Sequence, residues 1–122
     1  MAHLDVQADL VRRLGAALSP VPVAAVVHEG HPVPAVYVWR EGGRVLDSVR
    51  DRPGVGVWCY GESELEASDL AQAVDSAMRS LTFAEGYDDV EQESMRRDWD
   101  PDERKPRWYL SYTLTTHKPP TE

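Results

Sequence analysis

The stretch "GVGVWCYGESELEASDLAQAV", residues 54–74, decides the architecture. Its first seven residues alternate Val55, Val57 and Cys59 on one side with Gly56, Trp58 and Tyr60 on the other, the period of a strand that is covered on both faces. Gly61-Glu62 then turns the chain. Ser63-Glu64-Leu65-Glu66 has the S-x-x-E pattern of a capping box, with acids placed to complement the dipole of a new helix. Ala67, Leu70, Ala71, Val74, Ala77, Met78 and Leu81 follow at helical spacing and form one apolar stripe. A central strand running straight into a helix that backs the sheet is the expectation.

Working towards the N-terminus, "REGGRVLDSVRDRPG" (40–54) is polar, glycine-bearing and about fifteen residues long, which predicts a connection that is mobile or used. Before it, "VAAVV" (23–27) and "PAVYVW" (34–39) read as two short strands, with "HEGHPVP" as a turn between them. Val6, Leu10, Leu14, Ala17 and Leu18 mark an amphipathic helix over 4–18, ended by Ser19-Pro20-Val21-Pro22. Towards the C-terminus, "VEQESMRRDWDP" (90–101) reads as a polar edge strand and "RWYLSYTLTTHK" (107–118) as an alternating one, joined as a long hairpin by "DPDERKP". The fold class is therefore α+β: two layers, a mainly antiparallel sheet of about five strands packed by two helices, in the order α-β-β-β-α-β-β.

The 122 residues make one domain, and no apolar run is long enough for a membrane span. The start "MAHLDVQADLVRRL" has acids early and its basic pair late, without the layout of a secretory signal. A net charge of -8, with basic residues dispersed among acids, argues against direct nucleic-acid binding.

Cys59 precedes a helix start, where a thiolate would be stabilised. The nucleophile-elbow pattern needs glycine two residues to either side, however, and Val57 stands in place of the first, so the residues favour a small buried hydrophobe. The many carboxylates (Glu62, Glu64 and Glu66; Asp88 and Asp89; Asp98, Asp100 and Asp102) read as solvated faces. "DWDPDE" lacks the glycine and the twelfth-position glutamate of a calcium loop. His28 and His31 flank a turn glycine and read as surface residues, and the four histidines and one cysteine have no metal-ligand spacing. No cofactor fingerprint occurs, so a non-enzymatic protein is expected. Of four tryptophans, Trp58 and Trp108 are assigned to the interior and Trp39 and Trp99 to an interface.

Together, the N-terminal helix, "PAVYVWREGG", "RPGVGVWCYGES", the helix "ASDLAQAVDSAMRSL" and the closing "RWYLSYTLTTH" resemble the small tail terminator proteins of long-tailed bacteriophages, over about residues 4–117. The resemblance implies a single tail-terminator-like domain over 1–122; the end, "PPTE", has no apolar content to bury, and 118–122 are expected to form a flexible tail. The resemblance also implies a virion protein of the tail and neck, assembled in the bacterial cytoplasm. Six copies would form a ring that caps the tail tube, stops its growth and joins it to the head-side connector. DNA would pass through the acidic lumen without specific binding, no membrane or cofactor would be involved, and no covalent chemistry would be done.

Ring closure needs two different complementary patches per subunit. The candidates are Val45, Leu46, Val49 and Arg50 in one loop, and Trp99, Arg104 and Arg107 in the hairpin over 95–107. A head-completion or stopper protein of the same neck, an interaction module of a regulatory complex, and a small thiol-dependent hydrolase using Cys59 are the alternatives.

Overall fold

A computed structural model describes residues 3–28, 30–99 and 105–117. Helix α1 spans Val6–Leu18. Strand β1, Val23–Ala24, is followed by β2, Ala35–Val45, and β3, Arg50–Tyr60. Helix α2, Glu64–Arg79, runs into a 3-10 turn, Ser80–Phe83, and the chain closes with β4, Tyr87–Trp99, and β5, Pro106–His117. The sheet order is β1-β2-β3-β5-β4, so β3 is central. All neighbours are antiparallel except β1 and β2, which pair in parallel. This is the expected two-layer α+β fold. The parallel pair is a difference from a plain hairpin: the segment 25–34 must cross back before β2 can run beside β1.

Both helices lie on one face of the sheet. Val36 and Val38 of β2, Val55, Val57 and Cys59 of β3, and Leu110, Tyr112 and Leu114 of β5 meet Val6, Leu10, Leu14 and Leu18 of α1 and Leu70, Ala71, Val74 and Met78 of α2. The stripe read from the sequence is the buried stripe, and each large side chain buried there contributes about 2 kcal/mol.

Helix α2 begins as its sequence dictates. The Ser63 hydroxyl accepts from the Glu66 amide at 3.1 Å, and the Glu66 carboxylate reaches back to the Glu62 amide at 2.7 Å. Gly61 makes that start possible, because a Cβ there would stand 2.9 Å from both the Ala67 Cα and the Ser63 carbonyl oxygen.

Each helix is also pinned by one carboxylate. Asp9 of α1 accepts from the Tyr87 hydroxyl at 2.6 Å and from Arg13 at 2.7 Å. Burial opposes its ionisation, but these hydrogen bonds and that from Arg12 outweigh it and hold its pKa below the usual value. Asp75 of α2 accepts from the Tyr112 hydroxyl at 2.7 Å, from Gln92 at 2.7 Å and from Arg79 at 2.9 Å.

The connection over 40–54 is not a loop. β2 continues through Val45 and β3 begins at Arg50, with a register shift between Arg40 and Gly42, so the turn is confined to 46–49. Asp47 closes it by accepting from the Val49 and Arg50 amides at 3.0 and 2.8 Å. β1 covers only Val36 and Tyr37, so this outer part of the hairpin is an exposed arm at the sheet's margin.

Candidate interaction surface

Strand alternation sends a second set of side chains to the face without helices. There β2 presents Tyr37, Trp39 and Glu41, β3 presents Gly56, Trp58 and Tyr60, β5 presents Arg107 and Tyr109, and β4 presents Arg96 and Asp98. Gly56 lies opposite Trp39, whose Cζ2 would be 2.7 Å from a Cβ at that position. Lacking a side chain, Gly56 lets the indole lie across the central strand.

The rings form a continuous row. Trp39 and Trp58 have centroids 4.8 Å apart, Trp39 and Tyr109 6.3 Å, and Trp58 and Tyr60 6.3 Å. Arginines complete it. The Arg107 guanidinium lies 4.1 Å from the Trp58 centroid and donates to the Tyr60 hydroxyl at 3.0 Å and to Asp98 at 2.8 Å, while Arg96 lies 4.9 Å from the Tyr109 centroid. Burial works against the Arg107 charge, yet the bonds to Tyr60 and Asp98 raise its pKa overall. Tyr109 donates to Glu41, and burial followed by that bond pushes its pKa up to about 12. Trp, Tyr and Arg are the residue types that carry most binding energy at protein interfaces.

Part of this face is roofed by the chain itself. Val27 and Val33 of the returning segment pack against Ala35, Tyr37 and Tyr60. His31, expected at the surface, is buried beneath it, 4.7 Å from the Tyr60 ring and 5.2 Å from the Tyr37 ring, with Nδ1 2.9 Å from the Pro32 carbonyl oxygen. The reason is the parallel β1–β2 pair, which carries the connection across the sheet. His28 is exposed as expected. Trp58 and Trp108, assigned to the interior, are both half-buried, and Trp58 lies on the face opposite the helices. Trp39 is half-buried and Trp99 exposed.

The sequence candidates separate into two places. Val45, Leu46, Val49 and Arg50 cluster at the tip of the β2–β3 arm, all exposed. Trp99 and Arg107 lie at the other end of the sheet, where Trp99 pairs with Pro106. About 35 Å of β5 separates the two ends, at roughly 3.4 Å per residue. Arg104, Asp100, Asp102 and residues 118–122 lie outside the described residues. The aromatic row was not singled out from sequence. Its signal was the second phase of the same alternation, Tyr37 and Trp39, then Trp58 and Tyr60, then Tyr109.

Cys59 is fully buried on the helix face, and burial pushes its thiol pKa well above the ordinary value. Two open hollows in the helix layer, of about 470 and 400 Å³, are lined by Leu14, Ala17, Ala77 and Leu81 and by Leu18, Val21 and Leu70 among others. Neither includes Cys59 or a histidine. Among the described residues no cluster of His, Cys, Asp and Glu could hold a metal ion, and no helix is long and apolar enough to cross a membrane. Compared with known proteins, the chain matches no family model and no curated protein.

Proposed function

We propose that this protein is the tail terminator of a long-tailed bacteriophage, a ring subunit that caps the tail tube and joins it to the head-side connector. The observation that carries the reading is the kind of surface the sequence has built. Its most elaborated feature is a half-buried row of Trp, Tyr and Arg on the sheet face without helices, with a separate arm elsewhere whose tip exposes Val45, Leu46 and Val49. Two unlike surfaces on one subunit are what a closed head-to-tail ring requires. The resemblance described from sequence supplies the identity of the ring, and the net charge of -8 suits a bore through which DNA slides without adhering.

The test is addition of the purified protein to polymerising tail tube protein. The expected result is tubes of arrested length with a ring at one end in negative-stain images. Tubes that grow on with undecorated ends, at protein concentrations in excess of tube ends, would overturn the reading; rings on DNA-filled heads instead would reassign it to the stopper.

A further inference from the structure

The arm tip and the start of β4 are both exposed, and they are complementary in two respects. At the arm tip Val45, Leu46 and Val49 are exposed within five residues, and beside them Arg44 has no carboxylate partner among the described residues. At the opposite lateral margin Phe83, 91% exposed, precedes β4 by four residues, and Asp89 of β4 is exposed and likewise has no cationic partner among the described residues. A phenylalanine left in water at that exposure loses about 2 kcal/mol of burial that a partner would restore.

Their relative placement is set by register. Arg50 at the arm pairs with His117, the His117 amide donates to the Gly86 carbonyl at 2.9 Å, and Asp51 pairs with Thr116, which pairs in turn with Tyr87. The arm and the start of β4, as far as Asp89, therefore stand at one level along the strand direction. They lie on opposite margins of the sheet, about 14 Å apart across β2, β3, β5 and β4 at the usual strand spacing. A patch and its complement at one level on opposite sides generate head-to-tail contacts by rotation with little rise, the condition for a closed ring instead of a filament.

We propose that the β2–β3 arm of one copy docks on the Phe83 and β4 margin of a second copy, with Val45, Leu46 and Val49 against Phe83 and Arg44 facing Asp89. The contact deepens the ring reading, but it can be tested without it. Two variants, Leu46→Cys and Phe83→Cys, are mixed at high protein concentration in low salt and treated with a short bis-maleimide. Cys59, being buried, is not expected to react.

The expected result is a cross-linked dimer in the mixture at several times the yield of either variant alone. Arg44→Glu in the Leu46→Cys partner is expected to cut that yield about tenfold, through like charges brought together. Combining it with Asp89→Arg in the Phe83→Cys partner restores the yield. A mixture that cross-links no better than the single variants overturns the contact, as does a yield indifferent to Arg44→Glu. Tube capping by the wild type without this cross-link sinks the contact and leaves the terminator reading standing; the cross-link without capping does the reverse.

Discussion

Replacing Gly61 by alanine places a methyl group between β3 and the first turn of α2. The new Cβ would stand 2.9 Å from the Ala67 Cα and the Ser63 carbonyl oxygen, and closer still to the Ala67 nitrogen. All three are main-chain atoms, so no rotamer change can relieve the contact, and Ala67 is fully buried against the core. The helix must shift, at about 1–3 kcal/mol for overpacking, or the Ser63 cap must loosen, at about 1 kcal/mol. The lost freedom of the unfolded chain offsets about 0.4–1 kcal/mol of this. A net loss centred on about 1.3 kcal/mol, and at most about 2.6, remains.

Gly15, in the interior of α1, is the control, because nothing lies within 4 Å of a Cβ placed there. The same substitution at Gly15 should stabilise by about 0.5–1 kcal/mol through helix propensity. Thermal unfolding followed by far-ultraviolet circular dichroism separates the two, since about 4 °C of Tm corresponds to 1 kcal/mol in a domain of this size. Gly61→Ala should melt about 5 °C, and at most about 10 °C, below the wild type and Gly15→Ala about 2–4 °C above it. If both move in the same direction, or Gly61→Ala melts with the wild type, the close approach at the strand-to-helix hinge is wrong.

Other outcomes follow from particular contacts. Cys59 should resist thiol reagents in the native protein near neutral pH and react on unfolding; rapid native labelling would revive the thiol-hydrolase alternative. Asp75→Ala withdraws an acceptor from the buried Tyr112 hydroxyl and from Gln92, and urea unfolding should register a loss of about 2–3 kcal/mol. The Asp9 pKa is lower in the folded chain than in the unfolded one, so its stabilisation is complete above the unfolded carboxylate value and fades as pH falls through the folded value. Unfolding free energies measured from pH 5 to pH 2 should therefore fall less steeply in Asp9→Asn than in the wild type; parallel slopes would remove Asp9 from the acid response.

Much of the core was legible because period and capping chemistry agreed. Val55, Val57 and Cys59 face the helices, Ser63 caps α2, and the Ala67 to Met78 stripe is the buried one. Three things were not legible. Residues 40–45 and 50–53 are strand because they pair with each other, a cross-strand fact that the polar composition of "REGGRVLDSVRDRP" does not carry. β4 is the polar edge strand expected, but which of its residues face the core is hidden by a register shift between Gln92 and Ser94, so Val90 and Gln92 pair with Leu114 and Tyr112, after which Met95 takes the place opposite Leu110. His31 owes its burial to the direction of β1, which only the sheet determines. The aromatic row was half visible: each strand showed its second phase, but which rings would be neighbours depended on strand order.

Helix α1 ties together parts of the chain that are made at very different times. Gln7 accepts from the Arg40 amide of β2 at 2.9 Å, and Asp9 accepts from Tyr87, 78 residues away in sequence. At roughly 5–20 residues per second of synthesis, the interval between Asp9 and Tyr87 is on the order of 4–16 s. Through that interval Val6, Leu10 and Leu14 have no completed sheet on which to pack. The domain therefore closes from its last strands back onto its first helix, and a nascent chain arrested before β4 would carry α1 as an unsheltered amphipathic segment for chaperones to hold.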